Sequence, residues 1–183
     1  MTMEEKIQFV IDRKTKPPKS FGKLEELALH IGKLQGTVHQ KLVQPHILVF
    51  AADHGIAEEG ISAYHREVTR QMVLNFLHNG AAINVFARQH GIKLKIIDAG
   101  VKGSLPHHPG LSDAKVREGT RNFLHEPAVT YNRLQECINH GEIQVKHLQK
   151  SGCNVIGFGE MGISNTASAS MIMHLPGNIT LEQ

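Results

Sequence analysis

Three short apolar runs, each meeting an acidic residue, set the tightest limit on what this chain can fold into. "HILVFAAD" ends at Asp53, "KLKIIDAGV" passes through Asp98, and "CNVIGFGE" ends at Glu160. The first is continuous up to its aspartate and predicts a strand buried on both faces, as parallel sheets require. Helical patterns separate the three runs, so the chain reads as an α/β fold with a mostly parallel sheet. Open sheets of that class bind ligands in the crevice outside the carboxyl ends of their strands. Asp53, Asp98 and Glu160 all fall there. An acid at such an end also serves to cap the next helix or to accept loop amides, but three of three favours a site.

The helices follow from spacing. "MEEKIQFVIDRK" places Ile7, Val10 and Ile11 on one face, and "TKPPKS" interrupts it, because proline disfavours helix in the residue before it. "FGKLEELALHIGKL" resumes with Leu24, Leu27, Ala28 and Ile31 on one stripe. "REVTRQMVLNFLHNG" aligns Val68, Met72 and Phe76, with Gly80 as the predicted C-cap. "AAINVFARQHG" predicts another helix, and "YNRLQECINHGEIQVKHLQKSG" puts Leu134, Ile138, Val145 and Leu148 on one face. The segment "KGSLPHHPGLSDAKVREGTRNFLHEPAVT" has little periodicity, and loops of such length in compact domains are functional or mobile. Cys153 is expected inside a buried strand, where a free thiol behaves as a small hydrophobe.

Composition narrows the function classes. With 183 residues the chain suits one domain, or one domain with an appendage. Its net charge of +3 comes from scattered Lys and Arg, and it has no Trp, so neither a basic nucleic-acid surface nor an aromatic stacking platform is expected. Cys137 and Cys153 form no CxxC pair. His107 and His108 are adjacent but lack a third ligand, so no metal site and no cofactor is expected. No apolar run approaches the ~20 residues of a membrane span, and the N-terminus lacks a signal-peptide core. The expectation is a soluble cytoplasmic protein with no membrane partner.

After Glu160 comes "MGISNTASAS". Gly162 permits close backbone approach, and Ser164, Asn165 and Thr166 suit the opening of a helix whose first amides lack intrahelical partners. Such an opening holds an anion through backbone N–H groups and the positive end of the helix dipole. It is not a Walker A loop, and no GxGxxG turn follows the first strand. By itself the motif reads equally as a capped helix.

Five blocks occur in a familiar order: "TKPPKSFGKLEELA", "FAADHGIAEEGISAYHREVTRQMVLNFLHNGAAINVFARQ", "IIDAGV", "REGTRNF" and "GFGEMGISNTASAS". In these, from about Asp12 to Met171, the chain resembles the nicotinate-nucleotide–dimethylbenzimidazole phosphoribosyltransferase family. It departs at Lys19 and Phe21 in the "KPPGSLG" block, at His65 where proline is expected, and at Ser164 and Ala167 in "GIGNTT". The resemblance implies a Rossmann-like three-layer parallel sheet, incomplete in this chain, in a homodimer. It also implies a small N-terminal helical subdomain over 1–44, with the partial α/β domain over 45–183.

The implied reaction moves phosphoribose from nicotinate mononucleotide to 5,6-dimethylbenzimidazole, giving α-ribazole 5′-phosphate and nicotinate. The resemblance assigns the 5′-phosphate to Gly162, Ser164, Asn165 and Thr166, and the ribose hydroxyls to Glu160. Tyr64 and Met72 would border the azole pocket, Met72 having core packing as its equal alternative. Asp53 and His54 would stand behind the site, with a structural role ranked first. The family's general base, a glutamate, and a lysine near the phosphoribosyl group are expected beyond Gln183. The alternative expectation is therefore a non-catalytic module that binds a nucleotide or azole without turnover.

Overall fold

The computed structural model describes residues 1–177 and 179–180. The chain divides after Leu42 into an N-terminal unit and a larger one beginning at Val43. The N-terminal unit is a helical pair, α1 (Met3–Asp12) and α2 (Lys23–Gln35). Thr2 and Glu5 cap α1 reciprocally, each side chain bonding the other's backbone amide. Ile7 is buried against Gly32 of α2, where a Cβ would sit 2.8 Å from the Ile7 Cδ1. The Lys16 ammonium, beside the two prolines, meets Glu25 at 2.9 Å and holds that carboxyl below the usual carboxylate range. The expected α2 stripe forms but is not buried: Leu24 and Leu27 are exposed, and Gly32 is the buried residue. Helical spacing predicts the helix and not what covers it.

The larger unit is built on a four-stranded parallel sheet. Its elements run β1 (His46–Ala52), a 3-10 turn (Gly55–Glu59), α3 (Glu67–Leu77), α4 (Ala82–Gln89), β2 (Lys93–Gly100), β3 (Leu111–Asp113), α5 (Tyr131–Lys150), β4 (Ile156–Met161) and α6 (Asn165–Gly177). The spatial order is β3-β2-β1-β4, with every neighbouring pair parallel. Alternation along β1 and β2 sends side chains to both faces. Val49, Ala51 and Ile96 pack with Val73, Phe76 and Leu77 of α3, while Leu48 and Ile97 pack with Leu148 of α5. Helices therefore cover both faces, the three-layer Rossmann-like α/β arrangement expected from the sequence. Among the described residues no helix is long and apolar enough to cross a membrane.

Four elements differ from the sequence reading. The strand β4 starts at Ile156; Cys153 is buried, but ahead of it. The strand also lies at the sheet edge, where Phe158 is 68% exposed, so its apolar character does not reflect burial on both faces. The helix α3 closes at His78, with Asn79 rather than Gly80 taking the left-handed conformation (φ 61°). Its buried face is Thr69, Val73, Phe76 and Leu77, one residue along from the expected Val68 and Met72. On α5 only the C-terminal end of the stripe packs: Leu148 is buried, whereas Leu134 and Ile138 are exposed. The long aperiodic segment carries β3, three residues that no periodicity rule can detect.

Candidate active site

The strand order reverses beside β1. The chain runs outward from β1 through β2 to β3, then returns to place β4 on the other flank of β1. That reversal opens a crevice at the carboxyl ends of β1 and β4, the position where open α/β sheets bind ligands. Two loops meet there, Asp53–His54 after β1 and Gly162–Ser164 after β4.

Gly162 makes the meeting possible. A Cβ at this position would lie 2.5 Å from the Ala52 carbonyl oxygen and 2.7 Å from the His54 ring. Only a hydrogen side chain lets the turn lie against β1. The turn is then tied down from two directions. The Ile163 amide donates to Thr69 Oγ1 at 3.0 Å, and Thr69 is fully buried on α3. The Asn165 amide donates to the Gly162 carbonyl at 3.1 Å. Ser168, one turn into α6, lies 3.1 Å from His54 Nδ1. Burial pushes the His54 pKa below its usual value, opposed by the negative charges of Glu160 and Asp53.

Ser164 has φ +70°, a left-handed conformation that a side chain disfavours, and its buried Oγ has no hydrogen-bond partner among the described residues. The sequence expectation that this hydroxyl caps α6 is not met. Beyond it, Thr166, Ala167 and Ser168 present the first-turn amides of α6, which have no partners within a helix.

A cavity of 500 Å³ opens over this turn, lined by Glu160, Gly162, Ser164, Asn165, Thr166 and, from the loop after the 3-10 turn, Ile61 and Ser62. All five residues assigned from the sequence to phosphate and ribose thus line one space. Glu160 is exposed within it. Tyr64 and Met72 are not among its lining residues: Tyr64 is 67% exposed, and Met72 packs against the core beneath α3.

Asp53 and Asp98 hold backbone. Asp98 accepts from the Gly100 and Val101 amides at 3.0 and 2.8 Å and pairs with Lys115 at 3.2 Å. Asp53 accepts from the Lys102 amide at 2.7 Å. Of the three acids at strand ends, only Glu160 faces the cavity over the glycine turn. Among the described residues no group of three or more His, Cys, Asp and Glu side chains is placed to hold a metal ion.

The whole chain, residues 1–183, matches the phosphoribosyltransferase family model DBI_PRT. The chain belongs to this family. Within the phosphoribosyltransferase family it is 52% identical over 176 residues to the nicotinate-nucleotide–dimethylbenzimidazole phosphoribosyltransferase of Cupriavidus taiwanensis, covering 96% of this chain and 51% of that protein. It is 47% identical over 181 residues to the protein of the same name from Bacteroides fragilis, covering 99% and 52%. The crystal structure of CobT from Thermus thermophilus superposes with a TM-score of 0.89 at 42% identity, over 94% of this chain and 52% of that one. The chain thus spans about half the length of the curated relatives it matches. The match extends on both sides of the Asp12–Met171 span recognisable by eye.

Sequence reasoning missed Thr69, Ser168, Ile61 and Ser62. Thr69 had a legible signal, a hydroxyl sitting i−4 from Val73 on an otherwise apolar stripe. Ser168 carried none beyond lying in a small-residue run.

Proposed function

We propose that this chain carries the phosphoribosyl-binding part of a transferase that moves phosphoribose from nicotinate mononucleotide to 5,6-dimethylbenzimidazole. The observation behind this reading is the single cavity that joins Glu160 to the Gly162–Thr166 turn at the point where the strand order reverses. The leaving nitrogen of nicotinate mononucleotide is a pyridinium and departs neutral, so no acid is needed. What the reaction needs is a grip on the phosphate, stabilisation of positive charge at C1′, and an acceptor nitrogen held on the opposite face.

The amides heading α6, with Asn165 and Thr166, take the 5′-phosphate. Glu160 accepts the ribose hydroxyls and places negative charge near the developing cation, where a preorganised carboxylate lowers the barrier. Fixing both ends of the donor converts binding into orientation, worth up to several kcal/mol of the barrier. Tyr64 and Met72 border the acceptor pocket, and His54, wedged under Gly162, holds the turn with Asp53 behind it. Loss of the azole proton calls for a base, which the family resemblance assigns to a glutamate in the other half of the relatives. A homodimer in the cytoplasm is part of the same reading.

Calorimetry with nicotinate mononucleotide tests the binding half. Asn165→Asp, which sets a carboxylate against the phosphate, should weaken affinity at least about tenfold, the equivalent of 1.4 kcal/mol. Unchanged affinity would remove the turn from the site. Turnover of mononucleotide and dimethylbenzimidazole, followed by nicotinate release, is a separate readout. Binding without turnover would identify the chain as a ligand-holding module.

A further inference from the structure

His54, beneath Gly162, lines a second cleft, of 660 Å³, which shares no lining residue with the first. Its wall is the segment 117–122, "REGTRN", held against the ends of β1 and β2 by hydrogen bonds. The Gly119 amide donates to the Gly100 carbonyl at 2.8 Å, the Thr120 amide to the Asp53 carbonyl at 3.0 Å, and the Gly55 amide to Thr120 Oγ1 at 3.1 Å. Gly119, at φ +69°, lies so close to Asp53 that a Cβ would be 3.0 Å from its carbonyl oxygen. The cleft is thus framed by fixed backbone rather than a free loop.

Five cations line it against four carboxylates: Arg66, Lys102, Arg117, Arg121 and Arg133 against Asp53, Glu58, Glu118 and Glu126. Two of the carboxylates are paired with cations, Glu58 with Arg66 and Glu126 with Arg121. Glu118 accepts the Gly103 amide, and Asp53 accepts the Lys102 amide through Oδ2 while its buried Oδ1 has no partner among the described residues. Arg117 and Arg133, both of intermediate exposure, line the cleft and have no acidic partner among the described residues. Two such guanidiniums, with the Lys102 ammonium on the same rim, want an oxyanion, which a guanidinium fork meets with two parallel hydrogen bonds.

We infer that this cleft is a second ligand site, distinct from the glycine turn, which takes a small molecule through a phosphate or carboxylate group held by Arg117 and Arg133. The inference does not depend on the transfer reaction. Inorganic phosphate and acetate serve as probes, titrated at constant ionic strength into the protein while the side-chain Nε–H resonances of its arginines are followed by NMR. The Arg117 and Arg133 signals should shift and saturate at concentrations that leave Arg13 and Arg88 unmoved. The anion that saturates lower names the group. Arg117→Gln with Arg133→Gln should weaken that binding at least tenfold, whereas Asn165→Asp, at a residue that lines only the first cavity, should leave it unchanged, so failure at one site is distinguishable from failure at the other. Small, linear and equal shifts at every arginine would overturn the inference, and because that readout uses the unaltered protein it survives any folding defect in the variants.

Discussion

Replacing Gly162 by alanine probes the contact on which the site geometry depends. The added methyl would arrive 2.5 Å from the Ala52 carbonyl oxygen and 2.7 Å from His54 Cδ2 and Nε2. Real Cβ atoms essentially never come within 3.0 Å of another heavy atom, so something must move by at least several tenths of an ångström. The carbonyl belongs to β1, the central strand paired on both sides, and cannot yield without disturbing two ladders. His54 is held through Ser168. The turn itself must therefore lift away. Overpacking of this kind costs about 1–3 kcal/mol. Lifting the turn also misaims the amides that receive the phosphate, and hydrogen bonds to a charged group are worth about 1.5–3 kcal/mol each. Losing one should lower affinity for nicotinate mononucleotide by about ten- to a hundredfold. Urea denaturation and calorimetry read the two effects separately. Gly159→Ala in the preceding strand, β4, is the control, because its Cβ would meet Val49 at an ordinary 3.4 Å. If Gly162→Ala unfolds at the wild-type midpoint and binds with wild-type affinity, the steric argument is wrong.

Ser164→Gly should stabilise the fold by about 1–2 kcal/mol, since glycine accepts the left-handed backbone and no buried hydroxyl is then left without a partner; a loss of stability would mean that the hydroxyl is engaged. Thr69→Val keeps the shape but removes the acceptor for the Ile163 amide, and should cost about 1–3 kcal/mol in urea denaturation and loosen mononucleotide binding. An unchanged midpoint would dismiss that tie. The His54 pKa is depressed on folding, so the unfolded chain binds the proton more readily. The contribution is fully present above the unfolded value of about 6.5 and is lost as pH falls through that value toward the lower folded one. His54→Gln should flatten this part of the stability–pH curve, and NMR titration of the imidazole should give a midpoint below 6.5; a midpoint above it would refute the assignment.

The parallel α/β plan was legible because buried strands must be continuously apolar and because helices must lie between parallel strands. "HILVFAAD" became the central strand, packed on both faces, as such a run demands. "CNVIGFGE" looked equivalent, yet it forms an edge strand with Phe158 outward, because composition reports how apolar a segment is and not what stands beside it. The same limit explains Leu24 and Leu27 on α2 and Leu134 and Ile138 on α5. At the site, Glu160 and the turn after it could be read locally, since strand, glycine and helix start are consecutive. Asp53 and Asp98 had the same local signature but serve backbone amides up to 49 residues away. His54 under Gly162 and Thr69 behind Ile163 join residues more than ninety positions apart, and one sequence carries no record of such pairings.

Backbone amide shifts on adding nicotinate mononucleotide test the central claim most directly. The account predicts saturable shifts concentrated at Gly162, Asn165, Thr166 and Ala167, lost together in Gly162→Ala. Shifts centred elsewhere, with the turn after β4 silent at saturation, would contradict it.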